Sequence, residues 1–214
     1  MVRKRLFLEF SRLMSIFVTM KNIVFDLGQV VFARDLGKCS EEFVRFFSYV
    51  TETPMPQFWI DYDAGASDFE KMIDDLSAYR GADREYTREM VLLSIDKQET
   101  IEPTGRLIRD LKAAGYKLYV LSNMSREFID FLRRTDIYEC FDGDVISCEE
   151  GVVKPMPRIY DILLERFSLD PSQTLFIDDR RENVEAAAAK GIGAFWFDKH
   201  DREGSCARLR EILL

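Results

Sequence analysis

Residues 20–31 read MKNIVFDLGQVV, a short apolar run that ends in an acidic residue. The consecutive apolar side chains of Ile23, Val24 and Phe25 are typical of a strand that is buried on both faces of a parallel sheet. Asp26 follows at the carboxyl end of this strand. Because open parallel sheets bind ligands outside the carboxyl ends of their strands, Asp26 stands where chemistry is expected.

Further apolar runs of this kind recur along the chain at residues 118–121, 145–146, 174–177 and 194–197. Helical patterns separate them, and one such helix begins near Pro103 and ends before Gly115. The alternation predicts an α/β fold, a Rossmann-like parallel sheet with helices on both faces.

Residues 35–100 break this alternation, since they show helical spacing without a convincing strand. We expect them to form a small helical cap domain inserted into a core of residues 20–34 and 101–214. Residues 1–19 begin with basic residues, but polar residues interrupt their apolar run. We therefore expect a dispensable N-terminal extension and neither a signal peptide nor a membrane span.

Composition excludes several classes of protein. The 214 residues include 38 acidic and 30 basic side chains, a net charge of −8, and 47% are hydrophobic. Such a chain can build a core, and its acidic balance argues against nucleic-acid binding. Four scattered cysteines and one histidine, His200 in a polar stretch, argue against a zinc site and a histidine-based triad. We expect a cytoplasmic monomer or weak homodimer with no membrane partner.

Polar residues follow four of the predicted strands, namely Asp26, Ser122, Lys154 and the pair Asp178–Asp179. Each alone is typical of a turn or a helix cap. Their joint occurrence at one edge of the sheet indicates a site.

The segments FDLGQVV, VLSN, GVVKPMPRIY and FIDDRRENVEAA resemble the four motifs of the haloacid dehalogenase superfamily. The resemblance extends from residue 20 to about residue 197. Its nearest branch holds phosphatases similar to alpha-D-glucose-1-phosphate phosphatase and the amino-terminal phosphatase domain of epoxide hydrolases. It implies a magnesium-dependent phosphatase that acts on a small phosphorylated metabolite, in particular a sugar phosphate, through an aspartyl-phosphate.

The resemblance also implies roles for individual residues. Asp26 would be the nucleophile, and Ser122, the backbone N–H of Asn123 and Lys154 would bind the phosphoryl oxygens, with Lys154 also catalytic. Asp26, the carbonyl of Gly28 and Asp179 would hold Mg²⁺. Asp179 is preferred because Asn183 stands four positions later, where the superfamily usually has an acidic residue, and Asp178 would then lie behind the ligands or bind more weakly.

Gly28 departs from the pattern of most phosphatases of this superfamily, which carry a second Asp there as a general acid and base. Such a group contributes about 10²- to 10⁴-fold in rate. Either the leaving group is a good one, such as an anomeric hydroxyl, or Asp35 or Asp63 substitutes. Two other functions remain open: a metal-independent 2-haloacid dehalogenase, and a catalytically weak phosphate-binding protein.

The predicted cap carries a polar and aromatic patch of Trp59, Tyr62, Asp63 and Gly65. Aromatic faces pack well on sugar rings, so this patch could contact a substrate. The two aromatic residues could equally form the core of the cap.

Overall fold

The computed structural model describes residues 20–51 and 55–214, so the expected extension, residues 1–19, lies outside the described residues. In chain order the strands are β1 (Asn22–Phe25), β2 (Phe32–Ala33), β3 (Glu99–Thr100), β4 (Lys117–Ser122), β5 (Gly143–Ile146), β6 (Thr174–Asp178) and β7 (Gly193–Trp196). Five of these form one parallel sheet in the order β5-β4-β1-β6-β7. The first strand in the described part of the chain is therefore the middle strand of the sheet.

The helices in the described part of the chain are α1 (Glu41–Phe46), α2 (Gln57–Asp63), α3 (Phe69–Arg80), α4 (Arg84–Asp96), α5 (Glu102–Ala113), α6 (Arg126–Leu132), α7 (Ser147–Glu150), α8 (Pro157–Phe167), α9 (Arg181–Ala189) and α10 (Arg202–Leu213). Short 3-10 turns cover residues 36–38, 48–51, 136–140 and 171–173. None of the described helices has both the length and the apolar character needed to cross a bilayer.

Helices cover both faces of the sheet, as the sequence predicts. Ile23 and Phe25 point to one face, where they pack in a cluster with α5 and α10. Val24 points to the other face, into a cluster with α8 and α9. Because successive strand residues alternate between faces, a strand that is apolar throughout has to be buried on both sides.

The chain between β1 and α5 is largely helical, and α1 to α4 enclose a separate aromatic-rich cluster. One detail differs from the sequence-based expectation. Glu99–Thr100 is a strand, and it pairs antiparallel with Phe32–Ala33. The two segments flank the inserted helices, so this pair ties the start of the insertion to its end.

Helix α10 has no counterpart in the predicted pattern, which treats residues 198–204 as a polar stretch. Asp201 caps its first turn by accepting a hydrogen bond from the N–H of Gly204. Cys206, Leu209 and Leu213 are buried against the sheet. His200 is exposed just before this helix, in keeping with the solvated side chain that the sequence indicates.

Candidate active site

Asp26 lies directly after the middle strand of the sheet, and its N–H donates to the carbonyl of Ile177 at 2.9 Å. Strands β4 and β6 flank β1, and they end at Ser122 and Asp178. The Oγ of Ser122 donates to Oδ1 of Asp26 at 2.8 Å. The fold therefore brings together three polar residues that are far apart in sequence.

Lys154 extends into this site from the loop between α7 and α8, and its side chain is only 1% exposed. Its ammonium group lies 2.8 Å from Oδ1 of Asp26 and 2.7 Å from Oδ2 of Asp178, and it also donates to the carbonyl of Leu121 at 2.9 Å. Burial lowers the pKa of Lys154, but the charges of Asp178 and Asp26 outweigh it, so the net pKa is raised. Lys154 is therefore a fixed positive charge beside the nucleophile candidate.

Asn123 holds the backbone of Lys154 in place. Its Oδ1 accepts from the N–H of Lys154 at 2.7 Å, and its Nδ2 donates to the carbonyl of the same residue at 3.0 Å. The sequence indicates only the backbone N–H of Asn123 as a phosphoryl ligand. The two side-chain contacts also have a structural role, since they attach the loop that carries Lys154 to the end of β4.

The carboxylates of Asp26, Asp178 and Asp179 each have an oxygen within 4.8 Å of the others. Hard carboxylate oxygens at this spacing are the ligands that Mg²⁺ prefers, whereas zinc sites in proteins usually include Cys or His. The residues present therefore fit a magnesium ion. Gly28 lies two residues after Asp26, and a Cβ placed there would meet nothing within 4 Å.

Asp178 and Asp179 differ in how their oxygens are used. Asp178 is fully buried and accepts from Lys154, from the N–H of Arg180 and from Nδ2 of Asn183, the amide reaching both oxygens at 3.0 and 3.1 Å. Asn183, which stands four positions after Asp179, thus bonds to Asp178. Burial raises the pKa of Asp178 although Lys154 opposes this.

Asp179 accepts a hydrogen bond from the partly exposed Lys199 on Oδ2 at 3.0 Å. Burial and the charge of Asp26 raise the pKa of Asp179, and Lys199 partly offsets both. A divalent ion would relieve the repulsion among these carboxylates. Asp178 is saturated by protein donors, so Asp179 is the more available of the two neighbouring carboxylates.

The aromatic residues of the predicted cap patch belong to the interior. Trp59 and Tyr62 are 7% and 2% exposed, and their rings pack on each other. Trp59 also packs with Tyr49 and Phe128. The hydroxyl of Tyr62 donates to Glu127 of α6. Of the two interpretations that the sequence permits, the structure favours the cap core.

The two acids that could replace the missing side chain at Gly28 lie in different surroundings. Asp35 caps a 3-10 turn at Gly37, pairs with Lys38 and has a side chain that is 49% exposed. Asp63 is partly buried and ends α2, on the side of the inserted helices that meets the core.

A family model described as a haloacid dehalogenase-like hydrolase matches residues 20–191, well over half of the chain. The chain belongs to the haloacid dehalogenase-like hydrolases. The hydrolase therefore belongs to the family that its four motifs indicate. The polar cluster at the carboxyl ends of its strands is the candidate active site.

The hydrolase is 24% identical over 199 residues to a sesquiterpene phosphatase of Aspergillus oryzae, covering 91% of this chain and 97% of the relative. It is 27% identical over 195 residues to a D-ribitol-5-phosphate phosphatase of Bacteroides thetaiotaomicron, covering 82% and 90% of the two chains. A mouse relative, acyl-CoA dehydrogenase family member 10, is 36% identical over 112 residues, which are 50% of this chain and only 10% of that protein.

Among solved structures, the hydrolase resembles a haloacid dehalogenase family enzyme of Bacteroides thetaiotaomicron in complex with magnesium and inorganic phosphate. The TM-score is 0.66 at 22% identity, and the match covers 83% of this chain and 93% of the other. The likeness establishes a shared fold. It agrees with the order of strands and helices described above.

Proposed function

We propose that the hydrolase is a magnesium-dependent phosphatase acting on a small phosphorylated metabolite, in particular a sugar phosphate. The observation that carries this proposal is the contact of Asp26 with both Lys154 and Ser122, beside two further carboxylates. A lysine and a hydroxyl next to a nucleophilic carboxylate suit a tetrahedral dianion, since both can donate to its oxygens. The phosphatase names of two relatives that match most of the chain support the same activity.

In the proposed reaction, an oxygen of Asp26 attacks phosphorus and forms an aspartyl-phosphate, and water then cleaves it. Ser122 and Lys154 engage Oδ1 of Asp26, and no hydrogen bond among the described residues reaches Oδ2. Oδ2 is therefore the oxygen free to react or to bind a cation. Ser122, the N–H of Asn123 and Lys154 hold the phosphoryl oxygens and stabilise their charge in the transition state.

Asp26, the carbonyl of Gly28 and Asp179 would hold the magnesium ion, which when bound neutralises charge between the carboxylates and the phosphoryl group. Asp178 keeps the ammonium of Lys154 in place through its 2.7 Å contact. We assign residues 20–34 and 101–214 to the catalytic core and residues 35–100 to a cap. We expect a cytoplasmic protein, monomeric or weakly dimeric.

Released phosphate measured over a panel of phosphorylated metabolites tests the proposal. Activity should require Mg²⁺, be lost in EDTA and return with excess Mg²⁺. Asp26→Asn should be inactive, whereas Asp96→Asn, which changes an exposed carboxylate at the end of α4, should retain activity. Activity unaffected by EDTA, or retained by Asp26→Asn, would contradict the mechanism.

A 2-haloacid dehalogenase is the alternative, because it uses a similar nucleophile on carbon without a metal. The cluster of three carboxylates argues against this alternative. Three neighbouring negative charges repel one another, and without a cation nothing in such an enzyme would offset that repulsion. Chloride release from 2-chloroacids without Mg²⁺, together with no phosphate release, would favour it.

A further inference from the structure

Gly28, two residues after the nucleophile, has no side chain, and the space beside it is open. A Cβ placed at Gly28 would have no neighbour within 4 Å. An acid that serves a leaving group above Asp26 therefore has to come from another part of the chain. Among the described residues, Asp63 is an acid of the inserted helices whose backbone is connected through Ser147 to the loop after Ser122.

Asp63 is the last residue of α2, and its backbone is hydrogen-bonded to the core. Its backbone carbonyl accepts from the hydroxyl of Ser147, whose oxygen in turn accepts from the N–H of Met124 at 2.9 Å. The N–H of Ser125 is among the groups that act on the charge of the Asp63 carboxylate. Met124 and Ser125 belong to the loop that follows Ser122, so Asp63 is held beside the segment whose Ser122 contacts Asp26.

The electrostatic surroundings of Asp63 suit an acid that works near neutral pH. Burial raises the pKa of Asp63 to about 7, and the charge of Asp26 adds to the rise, while Arg180 and the Ser125 N–H oppose it. The charge of Asp63 also acts on the titratable groups of Tyr49, Tyr62 and Cys148. An acid with a pKa close to the working pH is the most effective proton donor and acceptor.

Asp35, the other acid that the sequence indicates, already makes contacts with its own turn. Its side chain is 49% exposed and makes a local turn with Gly37 and a contact with Lys38. An exposed carboxylate that caps a turn lacks both the burial and the fixed direction that proton transfer requires.

We infer that Asp63 is the general acid and base of this hydrolase, replacing from the inserted helices the side chain that Gly28 lacks. The inference rests on the proposed phosphatase function and extends its substrates to phosphate esters of ordinary alcohols. In the first step, protonated Asp63 gives its proton to the ester oxygen. The P–O bond breaks with its electron pair going to that oxygen, while an oxygen of Asp26 bonds to phosphorus.

In the second step, the carboxylate of Asp63 takes a proton from a water molecule. The water oxygen bonds to phosphorus, and the bond between phosphorus and the Asp26 oxygen breaks with its electron pair returning to the carboxylate. Orthophosphate leaves, and Asp63 is protonated again. The two products, the alcohol and orthophosphate, together contain all the atoms of the ester and one water molecule, so the reaction needs no further reactant.

The test compares two substrates that differ in their need for an acid. The 4-nitrophenolate leaving group of 4-nitrophenyl phosphate departs without protonation, whereas the alkoxide of glycerol phosphate does not. Asp63→Asn, which keeps the shape of the side chain, should lower the rate of the first step on glycerol phosphate, measured as alcohol release in the first turnover, about 10²- to 10⁴-fold. On 4-nitrophenyl phosphate it should lower the first step by less than about tenfold.

Asp61→Asn is the matched control, because Asp61 lies on the same helix and, among the described residues, its side chain accepts a hydrogen bond only from the exposed Gln57. It should leave both activities unchanged. Adding Gly28→Asp to the Asp63→Asn variant should restore turnover of glycerol phosphate, and Asp63→Asn should remove the decline of the wild-type rate above about pH 7.

Equal losses of Asp63→Asn in the first-turnover rate of alcohol release from the two substrates, or a loss on glycerol phosphate no larger than that of Asp61→Asn, would overturn the inference. A wild-type enzyme that releases phosphate from neither substrate, nor from any member of the metabolite panel, would instead overturn the proposed function.

Discussion

Replacing Lys154 by Met tests whether the ion-pair cluster of the active site is part of the fold. The side chain of Lys154 is 1% exposed, and its ammonium group lies 2.8 Å from Asp26, 2.7 Å from Asp178 and 2.9 Å from the Leu121 carbonyl. Methionine fills much of the same space but leaves two carboxylates without their cation. Removing one partner of a buried ion pair costs about 3–5 kcal/mol. We expect the free energy of unfolding at pH 7 to fall by that amount.

Urea unfolding, followed by tryptophan fluorescence and far-UV circular dichroism, measures this loss. Lys190→Met is the matched control, because Lys190 pairs with Asp161 at 2.6 Å but both side chains are about one-third exposed. A pair of that kind contributes about 1 kcal/mol or less. A loss for Lys154→Met as small as that for Lys190→Met would refute the reasoning.

The pH dependence of the same variant gives a second check. Burial raises the pKa of Asp178 in the folded state, and Lys154 opposes that rise. Without Lys154 the folded protein holds the Asp178 proton to a higher pH than the unfolded chain does. The stability of Lys154→Met should therefore increase as the pH falls from 7 toward about 5, relative to the wild type. Adding Asp178→Asn should recover part of the loss at pH 7, and no recovery would contradict the pairing.

Three further predictions concern the site and the inserted helices. Ser122→Ala should lower kcat about 10²- to 10³-fold, as removal of a single oxyanion donor does, with unchanged thermal stability; an unchanged kcat would remove Ser122 from the mechanism. Mg²⁺ at about 100 times its Kd should stabilise the protein by about 2.7 kcal/mol in calorimetry, and Asp179→Asn should abolish this effect; an undiminished shift would exclude Asp179 as a ligand. Gly65→Ala should destabilise more than Gly81→Ala, because both have positive φ but only at Gly65 would a Cβ overlap the Cys148 carbonyl; equal losses would show that this close approach is unimportant.

The sheet could be predicted from sequence because each of its strands contains an apolar run without polar interruption. Asp26 and Ser122 could be placed together for the same reason, since parallel strands bring their carboxyl ends to one edge. The sequence pattern does not indicate helix α10, because its few buried residues, such as Cys206 and Leu209, lie among many charged side chains. The pairing of β2 with β3 involves two residues on each strand, too few to leave a periodic signal.

Other features of the site depend on contacts that no local pattern encodes. The amide of Asn183 reaches both oxygens of Asp178, a contact that the four-residue spacing between Asp179 and Asn183 does not indicate. Trp59 and Tyr62 have the same helical spacing whether they face a substrate or a core, so only packing decides between the two. The position of Asp63 beside the loop after Ser122 depends on how the inserted helices lie on the core.

The most direct test of the account is chemical capture of the intermediate on Asp26. The enzyme is quenched in acid during turnover of a phosphorylated substrate, and the denatured protein is reduced with borohydride. This treatment converts an aspartyl-phosphate to homoserine. Peptide mass spectrometry should find homoserine at position 26, and none in enzyme quenched without substrate. Phosphate release at full rate with unmodified Asp26, or with homoserine at another aspartate, would contradict the central claim.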